Sequence, residues 1–192
     1  MKRLKTLKLT ALFLASLTLL QGQDLEVKGE NVRVIHYRDG SQAQFERMDN
    51  NKTMVKKTFA AKGGYPTMVT IYRMDESGNP LSCIIYDGGQ KQELFRVRYG
   101  YRKTDGQLVE EQMFDSRTRR IDKNSGKEIP VQRVIYFYNA EGQRSAPITI
   151  NLLPGKTFRE IYGSDSSAIE VNPFDADAKE KLANPKAKPV GH

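Results

Sequence analysis

Along most of this chain, apolar and polar residues alternate with a period of two. Phe95, Val97, Tyr99 and Tyr101 alternate with Arg96, Arg98, Gly100 and Arg102. That alternation predicts a half-buried β-strand with an aromatic face and an arginine face. Residues 103–107 (Lys-Thr-Asp-Gly-Gln) read as a turn, and 108–115 return as a second strand. Two registers compete for this hairpin. A two-residue Asp-Gly loop sets Tyr101 against Glu110 and Val97 against Phe114. A three-residue Thr-Asp-Gly loop, with Gly106 left-handed at a bulge, sets Tyr101 against Val109, Val97 against Met113 and Arg98 against Gln112. The second sorts the two faces better and is preferred. It leaves Glu111 opposite Tyr99, on the aromatic face.

The same grammar recurs three times. Residues 32–38 lead through Asp39-Gly40 into 41–48. Residues 68–74 lead through 75–80 into 81–86, and 131–138 through 139–142 into 143–150. Strands are also expected at 54–59 and 156–162. The turn glycines fall at 40, 78, 106 and 142, with spacings of 38, 28 and 36, so the repeat is degenerate rather than a strict array. Consecutive hairpins predict an all-β fold, an antiparallel meander. The pattern does not choose among an open curved sheet, a barrel and a sandwich.

The two ends differ from this middle. Residues 2–8 are basic and 9–20 form a 12-residue run with nine apolar members, followed by Gln21-Gly22-Gln23. A basic start, a short apolar stretch and a polar end predict a secretory signal over 1–22. Twelve residues rise about 18 Å as a helix, too little for a hydrocarbon core of about 30 Å. Cleavage after Gly22 places Leu20 where a small residue is usual, so a retained anchor is the alternative. No transmembrane span is expected once the signal is removed. At the other end, 172–192 carry three of the eight prolines and four lysines. A mostly disordered, mobile tail is therefore expected over 166–192, with one short helix at 175–183. The alternative for this segment docks Phe174 on the sheet. The β domain would then span 23–165.

Composition changes the picture mainly through charge. The 192 residues hold 31 basic and 23 acidic groups, a formal charge of +8. Four of the basic residues lie in 1–22, so the mature chain carries 27 against 23, or +4. Half of the excess that suggests a nucleic-acid partner belongs to the signal, and export disfavours nucleic acid further.

Motifs for chemistry are sparse. The single cysteine, Cys83, lies in an apolar strand-like run and reads as buried and inert. Gly155-Lys156-Thr157 ends like a phosphate-binding loop, but Ile150 stands where its first glycine is needed. His36 is the only histidine placed to serve a triad, and no His or Cys cluster has metal-ligand spacing. Glu110 and Glu111 are adjacent, so on a strand they face opposite ways and cannot act as a hydrolytic pair. No catalytic residue, cofactor or metal is expected, and the chain does not read as an enzyme.

Three segments share one rhythm: 72–87, with Gly78, Leu81 and Tyr86-Asp87; 99–115, with Gly106, Leu108 and Phe114-Asp115; and 136–143, with Gly142. Aromatic, glycine turn, leucine, then aromatic-Asp resembles the hairpin repeats of Rhs/YD-repeat proteins and of MORN-like bacterial repeat proteins, over residues 68–142. The resemblance implies an extracytoplasmic repeat sheet that wraps, displays or binds something, and it implies no catalytic residue. The expectation is an exported, periplasmic or surface-associated bacterial protein. It would act as a structural or interaction module for an envelope or surface protein. The alternative is a binding module for an acidic or sugar polymer, with Arg96, Arg98, Arg102, Tyr99, Tyr101, Tyr136 and Tyr138 as the binding face.

Overall fold

The computed structural model describes residues 23–48, 51–152 and 157–183. The expected signal at 1–22 and the end of the tail at 184–192 lie outside the described residues. Ten antiparallel strands form one open sheet in which sequence order is spatial order. They are β1 (Asp24–Val27), β2 (Val32–His36), β3 (Gln42–Arg47), β4 (Thr53–Phe59), β5 (Met68–Met74), β6 (Pro80–Asp87), β7 (Glu93–Tyr101), β8 (Leu108–Asp115), β9 (Gln132–Ile135) and β10 (Ile148–Asn151). Two short helices follow, α1 (Phe158–Tyr162) and α2 (Ala178–Ala183). No described helix is long and apolar enough to cross a membrane. The antiparallel hairpin meander is thus as the sequence pattern predicts, and of the three closures the open sheet is the one adopted.

Each of the four turn glycines has positive φ, between 70° and 81°, a conformation that costs glycine nothing and other residues strain. The β7–β8 register pairs Val97 with Met113, Arg98 with Gln112 and Tyr99 with Glu111, as the preferred reading requires. A bulge after Gly100 then brings Tyr101 opposite Leu108 rather than Val109. The last hairpin is shorter than its pattern. Regular pairing covers only Gln132–Ile135 and Ile148–Asn151, with a single further bridge between Tyr138 and Arg144.

A strand alternates its side chains, so the sheet has two faces. The inner face carries Ile35, Phe45, Tyr72, Cys83, Val97 and Met113, all buried in one core. One sheet cannot bury a face by itself and needs a second layer. That layer is the C-terminal segment. Of the stretch expected as a strand at 156–162, the described residues 157–162 form the cap and helix α1 instead. A reciprocal capping box explains the difference: Thr157 accepts from the Glu160 backbone N–H, and the Glu160 carboxylate accepts from the Thr157 N–H. Gly163, with φ 81°, ends the helix. Phe158 is buried edge-on against Phe95, with ring centroids 4.9 Å apart, and stacks on Tyr162 at 4.8 Å.

From α1 the chain crosses the inner face toward the first strand. Asp165 lies over β9, Ser166 and Ser167 over β8 and β7, and Phe174 reaches Arg33 and Arg47 of β2 and β3. Helix α2 then packs on β1 through Ala178 and Leu182, and the Gln23 N–H donates to the Leu182 carbonyl. Residues 166–183, expected to be mobile, are therefore the cover of the core, with Phe174 docked. The helix expected at 175–183 is present at Ala178–Ala183.

The turn after β6 is fitted tightly to the loop before β5. A Cβ added at Gly88 would lie well inside the contact distance of the Pro66 carbonyl oxygen, whereas one at Gly89 would meet only the flexible Lys91 side chain at 3.7 Å. Gly88→Ala is expected to destabilise the protein by about 2–3 kcal/mol and Gly89→Ala by well under about 1 kcal/mol. Urea unfolding of the two variants checks this.

Candidate functional site

The candidate binding face divides between the two sides of the sheet. Arg96 and Arg98 alternate with Tyr99 and Tyr101 along β7, so they project to opposite sides. On the outer face Arg96 forms a bidentate pair with Glu128, at 2.6 and 3.1 Å. The Glu128 carboxyl is held below its ordinary range, first by that hydrogen bond. Arg96 and Arg98 also lie over the ring of the buried Phe114, at 5.8 and 5.1 Å. Arg102 pairs with Asp105 at 2.6 Å and covers the Tyr138 ring at 5.7 Å. Arg119 joins Glu128, and Arg117 pairs with Asp115 at 2.9 Å. These guanidinium groups cover aromatic rings and neutralise local acids.

The four tyrosines point inward. Tyr99 and Tyr136 are buried, while Tyr101 and Tyr138 are half-buried against the core. Tyr101 donates to the Pro80 carbonyl and Tyr138 to the Leu108 carbonyl, each at 2.7 Å. Tyr99 and Tyr136 belong to a polar cluster that the hairpin pattern did not reveal. Its centre is Glu111, fully buried on the aromatic face. The Ser166 hydroxyl donates to Glu111 Oε1 at 2.6 Å, and the Tyr136 hydroxyl donates to the same oxygen. The Ser167 N–H and hydroxyl both donate to Oε2 at 3.1 Å. Four donors thus meet a group whose two oxygens accept about four.

The cluster extends across the core. The Tyr99 hydroxyl lies 2.8 Å from Ser167 Oγ and 3.3 Å from Cys83 Sγ, and the Tyr72 hydroxyl donates to the Ser167 carbonyl at 2.9 Å. Burial pushes the Cys83 thiol up to about 12. It pushes the Tyr72 and Tyr99 hydroxyls well above the usual phenol range. A thiol so shifted is not a nucleophile near neutral pH. Nearby, the Lys56 ammonium is raised, first through Tyr162. This cluster anchors the cover to the sheet and is enclosed by both.

Elsewhere the chemistry is slight. His36 Nε2 lies 2.8 Å from Glu26 Oε2, both exposed. Among the described residues no three His, Cys, Asp or Glu side chains gather as a metal site requires. A groove of about 420 Å³ opens where the β3–β4 and β5–β6 turns meet Asn172 and Phe174. It places Arg47 near Asp75 and Glu76, so it has no single charge to offer a ligand.

The sheet ends differently at its two edges. At β1 Glu26 pairs with Lys28 and lies 2.8 Å from His36 of β2, Val27 is 63% exposed, and α2 packs beside the strand with Leu182 in the core. At β10 no described strand or helix covers the outer side, since the strand pairs only with β9. Three exposed large apolar residues, Phe137 (47%), Ile148 (52%) and Leu152 (42%), lie along this end. Residues 145–155 form an uncharged run that was the available sequence signal for such an edge. No family model matches this chain, and no curated protein sequence matches it.

Removing the carboxylate at the centre of the cluster takes the acceptor from the Ser167 N–H and from the Tyr136, Ser166 and Ser167 hydroxyls inside the protein. Glu111→Ala is expected to cost about 3 kcal/mol or more. Glu110→Ala, on the outer side of the same strand, is expected to cost about 1 kcal/mol or less. Chemical denaturation of both variants makes the comparison.

Proposed function

We propose that this chain is an exported, non-enzymatic β-sheet protein of the bacterial envelope, a structural or interaction module that docks a protein partner through its β10 edge. The observation that carries the reading is the contrast between the two sheet edges. One is lined with charged side chains, Asp24, Glu26 and Lys28; the other presents an uncharged strand with no described element beyond it, beside exposed Phe137 and Ile148. Unpaired backbone groups on such an edge bind another strand by adding it to the sheet. The basic and apolar start of the chain supports export. The hairpin rhythm, similar to that of Rhs/YD-repeat and MORN-like proteins, supports a display role.

The chemically versatile side chains are occupied internally. Glu111, Cys83, Tyr99 and Tyr136 hold the cover in place, and Arg96 and Arg102 are paired with acids. The same placement weighs against binding a sugar or acidic polymer, because the tyrosines and the two β7 arginines do not share a face.

A photo-crosslinking amino acid at Thr149, in protein expressed in its native envelope, tests the reading. The expected result is crosslinking to one discrete polypeptide from position 149 and none from Tyr65, which is 88% exposed on a loop far in sequence from β10. Cell fractionation is expected to place the protein outside the cytoplasm. A cytoplasmic protein without adducts at 149 would contradict the proposal.

A further inference from the structure

The β10 edge has a particular complementarity. Its hydrogen-bonding phase follows from the Leu152 N–H, which donates to the Val131 carbonyl across β9. In an antiparallel ladder the inward-bonding residues recur every second position. Leu152, Ile150 and Ile148 therefore bond toward β9, and Thr149 and Asn151 present their N–H and C=O groups outward. The side chains are equally ordered. Ile148 and Ile150 oppose Ile135 and Arg133 and share the outer face; Thr149 and Asn151 oppose Val134 and Gln132 on the inner face.

We infer that the partner of this edge is the same edge of a second copy of this chain, joined antiparallel about a two-fold axis through Ile150. The inference rests on the reading of β10 as the docking edge and names its occupant. In this register Thr149 of each copy hydrogen-bonds Asn151 of the other, which uses every outward backbone group of the two residues. Ile150 meets Ile150 of the second copy, and Ile148 meets Leu152. The outer face gains an apolar ladder and the inner face a polar one, so no side chain changes environment type.

Two features favour a second copy joined in this register. The segment 145–155 carries no charge, so it meets itself without like-charge repulsion. The alternative register, centred on Thr149, would set Pro147, which has no N–H, against Asn151 and leave the ladder incomplete. A contact about a two-fold axis uses the β10 edge of both copies, so it closes as a dimer. A four-residue edge is a small interface, and the self-association is expected in the micromolar range.

The test uses the mature full-length protein. Sedimentation equilibrium from about 1 to 200 µM is expected to show a monomer–dimer equilibrium. Ile150→Cys is expected to form an intermolecular disulfide on mild oxidation, because opposed residues of a non-hydrogen-bonded pair lie about 4.5 Å apart at Cα. Thr149→Cys is expected to crosslink at least about tenfold less, since it faces Asn151 and not itself. Buried Cys83 supplies no competing thiol. Thr149→Pro removes only an outward N–H and is expected to abolish the dimer while the far-ultraviolet dichroism of the sheet persists. Ile150→Lys, which opposes like charges at the axis, is expected to do the same.

A protein that stays monomeric throughout this range, with no Ile150→Cys crosslink, overturns the inference. If position 149 still captures a different polypeptide in the envelope, the interaction module survives and only its partner changes. Preferential crosslinking through Thr149→Cys overturns the register and with it the axis through Ile150.

Discussion

The structure depends on one buried carboxyl group. A ten-stranded sheet with an apolar face is not stable until that face is covered, and the only cover among the described residues is the C-terminal segment. This segment makes few backbone hydrogen bonds to the sheet. It is seated by side chains, and the most enclosed of these contacts converge on Glu111: two serines from the cover and one tyrosine from beyond β9. A carboxyl with its acceptor capacity filled is tolerable in a core, whereas the same group without its donors is very costly. The cluster therefore does more than hold the segment down. It fixes which residues of the segment lie over which strands, so Phe158 reaches Phe95, Phe174 reaches Arg33 and Arg47, and α2 reaches β1.

That placement also sets what the protein can do. With the cover seated, Tyr72, Tyr99, Tyr136, the thiol and the buried carboxyl face one another and not solvent. The outer face is screened by arginines laid over Phe114 and paired with Glu128. Helix α2, the last described element, packs into the core beside the first strand, whose own edge carries Asp24, Glu26 and Lys28. What remains available is the last edge, where β10 leaves backbone donors and acceptors unpaired. The interaction reading and the self-pairing inference both arise from this division into closed and open sides.

Much of the fold was legible in the sequence because hairpins are local. The alternation of Phe95, Val97 and Tyr99 with Arg96 and Arg98, together with the turn glycine at 106, fixed the face and nearly all of the β7–β8 register. The bulge at Gly100 was not legible, since glycine permits it without demanding it. The cover was legible only in part. Thr157-x-x-Glu160 followed by Gly163 is a helix signature, and in the fold it overrides the apolar-polar alternation that predicts a strand there. Glu111 could be located on the aromatic face, yet its reason could not. Its partners are Ser166 and Ser167, 55 and 56 residues away, and two serines in a polar stretch carry no signal of burial. Arg96 and Arg98 share no face with Tyr99 and Tyr101 for a simpler reason: residues adjacent on a strand face opposite ways.

Amide hydrogen exchange at Ser167 tests the central claim most directly, because this N–H donates to Glu111 inside the core. If the C-terminal segment is the second layer of the fold, the Ser167 amide is protected nearly as strongly as the central strands and exchanges only when the whole sheet unfolds. Exchange at the rate of an unstructured peptide, with the strands still protected, would show the sheet stable without its cover and would contradict the account.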